Sequence, residues 1–148
     1  LFPYTTLFRS SLIYLSMLED EARGAIDFDT DTFKAMLVQS GYTPNKTTHT
    51  KRSDVTSEAS GTGYTAGGTA VTCTVAKVTG SNNVTLTFSN PSWATATISA
   101  AGIVIYKSRG GASTADELVA FGDFGGTITS SGGTFAVTFS SPITKQNS

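Results

Sequence analysis

Five segments of strand length lie between residues 70 and 139, and each is separated from the next by residues that favour turns. The segments are residues 70–77, 84–88, 95–106, 118–124 and 134–139. Glycine, asparagine, proline and serine fill the gaps between them, which is the composition of tight turns. Short strands at such intervals predict an antiparallel β-sandwich. Because spacing does not give strand order, an immunoglobulin-like and a jelly-roll-like arrangement remain open.

A helical repeat occurs only before this β-rich region. Apolar residues recur at intervals of three and four within residues 11–23, and Gly24 follows where a left-handed C-cap is favoured. The sequence therefore predicts one short N-terminal helix over residues 11–23. From residue 25 the period changes to two, with Asp27, Asp29 and Asp31 alternating with less polar residues. We expect a strand that enters the core with its acidic face toward solvent.

Residues 1–10 read LFPYTTLFRS, which matches the in-frame translation of a common short-read sequencing adapter. We interpret them as a non-native segment, as expected for a gene read from metagenomic DNA. They are expected to lie outside the core, as an extension of the helix with Ser10 as its N-cap. A single domain is expected over residues 11–148, with the sandwich at residues 25–143 and a tail at 144–148.

The charge balance argues against two classes of partner. Ten basic and eleven acidic residues give a net charge of −1, so the sequence predicts no nucleic-acid partner. No apolar run approaches the ~20 residues needed for a membrane-spanning helix, and no membrane partner is predicted. Cys73 is the only cysteine, and its place in an alternating segment indicates a small core residue.

The residues with possible chemistry do not form a recognisable catalytic or metal-binding pattern. Asp27, Asp29 and Asp31 lack the glycine and the glutamate that an EF-hand calcium loop requires. Residues 61–68 read GTGYTAGG, without the lysine of a phosphate-binding loop. His49 is the only histidine and has no evident nucleophile or orienting acid. We therefore predict no catalytic residues, no metal site and no cofactor, and we expect that the protein is not an enzyme.

Trp93 is the residue with the strongest claim to ligand binding. An exposed tryptophan could stack on a sugar ring, together with Tyr42, Tyr64 and Tyr106 if these cluster on one surface. The apolar residues Phe88 and Ile98 on either side of Trp93 favour a core position instead. No binding residue is assigned from the sequence.

Residues 25–68 carry a set of short motifs that resemble a recurrent family of small phage and prophage virion structural proteins. The matching residues are 26–38 (IDFDTDTFKAMLV), 41–45 (GYTPN), His49, 52–56 (RSDVT), Glu58 and 61–68 (GTGYTAGG). The resemblance continues more loosely through residues 84–88, Ser92, Trp93, 103–106 and 120–124, whereas residues 140–148 depart from it.

The resemblance implies a virion protein assembled in the bacterial cytoplasm, whose position in the particle is not assigned. Its partners would be other virion proteins or copies of itself. We therefore expect a non-enzymatic structural component of a phage particle, in the head decoration, the tail or the fibre. The alternative is a β-sandwich module that binds a host-surface receptor or glycan.

Overall fold

The computed structural model describes residues 4–7 and 10–146, and the side chains from residue 11 onward. Within these residues one helix, α1, spans Leu15–Ala22, and two 3-10 helices span Arg52–Asp54 and Thr79–Ser81. The eleven strands are β1 Tyr4–Leu7, β2 Ser10–Ile13, β3 Phe33–Val38, β4 Gly61–Thr62, β5 Thr69–Val71, β6 Cys73–Val78, β7 Asn83–Phe88, β8 Ser92–Lys107, β9 Leu118–Thr129, β10 Gly133–Thr138 and β11 Ile143–Gln146.

The strands form two packed layers, which confirms the predicted all-β sandwich with one short helix. The central sheet has the order β5-β3-β8-β9-β2, and all its pairs are antiparallel. The first part of β8 also pairs with β4 and β10, and β10 pairs in parallel with β1. A separate antiparallel sheet, β11-β7-β6, forms part of the opposite layer.

The long strand β8 contributes to the core along most of its length because a bulge corrects its alternation. Ala100 and Ile103 both face the core between the layers, although they lie three residues apart. The pairing of β8 with β9 shifts between Ala100 and Gly102, where one residue of β8 lies opposite four residues of β9. The bulge keeps the apolar side chains inward on both sides of it.

The central sheet is buried on both faces. One face packs against the opposite layer, where Phe33, Leu37 and Ile105 meet Leu86 and Phe88. The other face carries a second apolar cluster that lies beneath the segment 39–60. Its buried members are Tyr14, Met36, Val38, Tyr42, Val104, Tyr106 and Leu118. Burial on both faces explains why residues 33–38 and 103–106 are almost continuously apolar.

The N-terminal part of the structure differs from the sequence prediction. The helix begins at Leu15 and not at residue 11, because residues 10–13 pair with β9 as strand β2. Ser10 therefore lies in a strand and is not a helix N-cap; Tyr14 occupies that position without a capping side-chain hydrogen bond. Residues 4–7 form β1 instead of extending the helix. Residues 1–3, 8 and 9 lie outside the described residues.

Two further segments also differ from the prediction. The alternation of Asp27, Asp29 and Asp31 belongs to a turn, because the Asp27 carboxylate accepts a hydrogen bond from the Asp29 N–H and that of Asp31 from the Asp27 N–H. The strand begins only at Phe33. Residues 144–146, expected to be a tail, belong to β11, whereas residues 147 and 148 lie outside the described residues.

A substitution at Gly68 can test how closely the glycine-rich segment, residues 61–68, approaches the central sheet. Its φ is +76°, and a β-carbon there would overlap the carbonyl oxygen of Ala35. Gly132 has a similar φ of +70° but open space around it. We expect Gly68→Ala to lower the free energy of unfolding by ~3 kcal/mol, through backbone strain and overpacking. Gly132→Ala should cost only ~1 kcal/mol. Urea denaturation measures both, and equal losses would contradict the close approach.

Candidate functional site

Two adjacent acidic residues, Asp116 and Glu117, are buried at the start of β9. Asp116 is 1% exposed, and its carboxylate accepts hydrogen bonds from the Arg52 Nε at 2.7 Å and from the Arg109 backbone N–H at 2.8 Å. Because buried charges are costly without partners, these contacts explain how the carboxylate is tolerated. Arg52 also lies over the ring of Tyr106, 5.2 Å from its centroid.

Glu117 is held by two cations. Its carboxylate is 3.0 Å from the Lys51 Nζ and 2.9 Å from an Arg109 guanidinium nitrogen. Burial alone would raise the pKa of the Glu117 carboxyl, but hydrogen bonds from Arg109 and Lys51 outweigh it and lower that pKa below its ordinary value. Asp116, Glu117, Lys51, Arg52 and Arg109 thus form one structural ion-pair cluster. Its carboxylates face cations of the same chain.

Sequence reasoning did not single out this cluster. Asp116 and Glu117 directly precede the apolar run of β9, so the alternation of the strand places at least one of them toward the interior. Arg109 lies eight residues from Glu117 across the loop between β8 and β9. An acidic pair at the entry of a buried strand was the available signal. The partners Lys51 and Arg52 come from a distant segment and gave no such signal.

His49 is the end of a chain of hydrogen bonds that leads into the second apolar cluster. Its Nδ1 accepts a hydrogen bond from the Asn45 backbone N–H at 3.3 Å and lies 3.0 Å from the Tyr42 hydroxyl. Since Nδ1 is an acceptor, Tyr42 donates to it and accepts in turn from the Tyr14 hydroxyl, at 2.8 Å. Burial and the hydrogen bond with Tyr42 raise the pKa of Tyr14.

The surroundings of His49 do not resemble a catalytic triad. Its neighbour Asp54 uses its carboxylate to accept the backbone N–H groups of Thr50 and Lys51, at 2.8 and 2.9 Å. These bonds hold the pKa of the Asp54 carboxyl below its ordinary value. His49 stacks on the ring of Tyr42 and lines neither of the cavities described below. The contacts of His49 with Tyr42 and Asn45 thus help to hold its loop in place.

The glycine-rich segment 61–68 is fastened to the central sheet through Glu58. The Glu58 carboxylate accepts from the Tyr64 hydroxyl at 2.8 Å and from the Gly67 N–H at 2.5 Å. The Tyr64 oxygen also accepts from the Leu37 N–H, and the Tyr106 hydroxyl donates to the Gly67 carbonyl at 2.6 Å. The Gly67 N–H that could face a phosphate is therefore directed at a carboxylate.

The aromatic residues considered for sugar stacking lie mostly inside the protein. Trp93 is 5% exposed and lies between Tyr64 and Phe135, with ring-centroid distances of 5.8 and 6.2 Å. Tyr42 and Tyr106 are buried in the other apolar cluster. These four residues therefore do not form an exposed aromatic surface.

Two cavities lie beside strand β2, and the first is situated between the two layers. Its volume is about 460 Å³, and no charged side chain lines it. Its apolar walls come mainly from Leu86, Phe88, Ile103, Ile105 and Phe121. The lining consists of apolar groups and a few hydroxyls, so it offers no group for acid–base chemistry.

The second cavity, of about 550 Å³, is bordered by Tyr42, Pro44 and Phe121 on the other face of the central sheet. Asp123 is the charged residue of its lining, and its carboxylate accepts the Gly125 N–H at 2.7 Å. Within the described residues, no three His, Cys, Asp or Glu side chains come together to hold a metal ion. The one helix described is too short to span a membrane.

Comparison with protein-family models, curated proteins and solved structures gives no match to this chain. No relative therefore supplies a fold name or a function.

The ion-pair cluster predicts a pH dependence of stability. The native pKa of Glu117 lies below its ordinary value of 4.5, so the ionised form stabilises the fold. That contribution is complete above pH 4.5 and is lost as the pH falls through the native pKa. We expect Glu117→Gln to lower the free energy of unfolding by ~1–3 kcal/mol at pH 7 and to weaken its dependence on pH below 4.5.

Glu19→Gln is the matched control, because Glu19 forms an exposed ion pair with Arg23 on α1. It should change stability by less than ~0.5 kcal/mol and leave the pH dependence as in the wild type. Urea denaturation between pH 3 and 7 measures all three proteins. A parallel pH dependence for Glu117→Gln and the wild type would contradict the role of the cluster.

The tyrosine pair can be tested by a double-mutant cycle. Tyr42→Phe leaves the buried Tyr14 hydroxyl without its partner and should cost ~1–3 kcal/mol of unfolding free energy. Replacing both residues by phenylalanine removes both polar groups of that bond, so the double variant should cost less than the sum of the two single variants. Thermal and urea denaturation give the three values. Strict additivity would show that the hydrogen bond contributes nothing.

Proposed function

We propose that this chain is a non-enzymatic structural component of a phage particle. The observation that carries the proposal is where the resembling motifs lie. Glu58 and the GTGYTAGG segment fasten the loop to the central sheet, and His49 anchors it through Tyr42. The residues that carry the resemblance therefore maintain the fold, as expected of a building block rather than of a catalyst.

The distribution of charged groups supports the same proposal. The buried carboxylates Asp116 and Glu117 are neutralised by cations of the same chain. The two cavities described above are lined chiefly by apolar groups and hydroxyls. A site for acid–base catalysis needs a titratable group facing a pocket where substrate can bind. Asp123 is the one carboxylate in these linings, and one of its oxygens accepts the Gly125 N–H.

The partners in this proposal are other virion proteins or further copies of this chain, assembled in the bacterial cytoplasm. Head decoration, tail and fibre-associated positions all agree with a compact β module of this kind. The alternative of a glycan- or receptor-binding module predicts that Trp93 or several tyrosines are clustered and exposed on one surface. Because Trp93 is packed between Tyr64 and Phe135, that alternative has lost its main support.

Mass spectrometry of purified particles tests the proposal. A phage that carries this gene should contain the protein at a constant ratio to its major structural proteins after density-gradient purification. A replication protein encoded by the same phage serves as the control and should be absent from the particles. Absence of this chain from washed, intact particles would refute the structural role.

A further inference from the structure

Strand β6 presents an open edge of the three-stranded sheet. Within the described part of the chain it pairs with β7 on one side and with no strand on the other. Five of its six residues, Thr74 to Val78, are exposed, and the Val75 side chain is 41% exposed. An edge strand of this length can accept another strand, because its outward N–H and C=O groups are available.

The backbone groups on the open edge can be assigned from the bonds on the paired edge. The Thr72 carbonyl accepts the Ser89 N–H, and the Ala76 carbonyl accepts the Thr85 hydroxyl, so both point toward β7. Because these directions alternate along a strand, the N–H and C=O groups of Cys73, Val75 and Lys77 point away from β7. These three residues supply the donors and acceptors of the open edge.

We propose that β6 is a self-association edge, at which two copies of this chain pair antiparallel with Val75 opposite Val75 of the second copy. The two three-stranded sheets then become one sheet of six strands. Such an interface is isologous, because the same surface is used by both copies. Val75 lies on the side of the sheet that faces the core, since its partner on β7 is the buried Leu86. Pairing would therefore continue the apolar layer across the two-fold axis.

Charge complementarity favours a second copy as the occupant. In this register Lys77 lies opposite Cys73 of the second copy. Asp29 follows Phe28, whose ring centroid lies 6.3 Å from that of Phe88. Phe88 is the partner of Cys73 on β7, so Asp29 is on the same side of the sheet edge as Cys73. Burial, and after it the Asp29 carboxylate, raise the pKa of the Cys73 thiol to about 11. Each Lys77 would then face an Asp29 carboxylate across the axis. Within the described residues neither Lys77 nor Asp29 takes part in an ion pair.

This inference deepens the proposed function and rests on it for its biological setting. A single strand pair buries less than the roughly 1,000 Å² of a stable interface, so we expect a weak dimer in solution. In a particle, many such contacts act together and raise the effective concentration. An edge of this kind is useful to a protein present in many copies.

Disulfide trapping tests the register. In a Cys73→Ser background, Val75→Cys places two thiols opposite each other, with α-carbons ~5.5 Å apart, which suits a disulfide. The matched control is Thr87→Cys on β7, which is exposed in the same sheet but away from the edge. Under mild oxidation Val75→Cys should form covalent dimers and Thr87→Cys should remain monomeric. Equal cross-linking of the two variants, or none in either, would overturn the proposal.

Charge reversal tests the partner contact independently of cysteine chemistry. Lys77→Glu should weaken the dimer about tenfold, measured by sedimentation equilibrium, because two opposite-charge contacts become repulsive. Adding Asp29→Lys to Lys77→Glu should restore the wild-type value, and circular dichroism confirms that each variant is folded. Unchanged dissociation constants would refute the contact.

The outcomes distinguish the two proposals. If Val75→Cys forms covalent dimers but the protein is absent from virions, the self-association edge stands and the structural role is refuted. If the protein is present in virions but Val75→Cys forms no dimers, the structural role stands and the self-association edge is refuted.

Discussion

The burial of the central sheet on both faces is the constraint from which the rest of the structure follows. The opposite layer covers one face, but the other is covered by the segment 39–60, which has little regular secondary structure of its own. An irregular segment over an apolar sheet must satisfy its own backbone polar groups. Asp54 and His49 do this by accepting backbone N–H groups of the segment directly. Glu58 accepts the N–H of Gly67 and so holds the adjoining glycine-rich segment 61–68. The polar residues of the segment are thus the means by which an irregular chain serves as a wall of the core.

The sequence predicted the layers well because strands and turns have local signals. Residues 84–88 and 118–124 lie within strands of the structure, and the predicted segment 95–106 lies inside β8. The predicted segment 134–139 extends one residue beyond the end of β10. The errors occurred where local pattern and tertiary pairing compete. Residues 11–13 have a helical repeat, yet they pair with the edge of β9. The alternating aspartates suggested a strand, although short side chains that bond to nearby N–H groups favour turns.

The candidate site was harder to predict, because its contacts join residues far apart in the chain. No motif surrounds His49 in the sequence, and the sequence could not show that the imidazole is part of a hydrogen-bond chain with Tyr42 and Tyr14. The pairing of Lys51 with Glu117 spans 66 positions and has no local signature. The polar side chains described above bond mainly to other residues of the same chain. At the open edge of β6 the available polar groups are backbone N–H and C=O groups, which supports the proposed association with another chain.

The length of strand β8 has a consequence for how the protein is made. Its sixteen residues pair with β3 and β4, which precede it, and with β9 and β10, which follow it. Contacts between distant parts of a chain form slowly, since the entropy of loop closure must be overcome first. The first half of the chain cannot complete its sheet while β9 and β10 are still inside the ribosome. The apolar residues of β3 therefore stay without their neighbour β8 until residues 92–107 have left the ribosome.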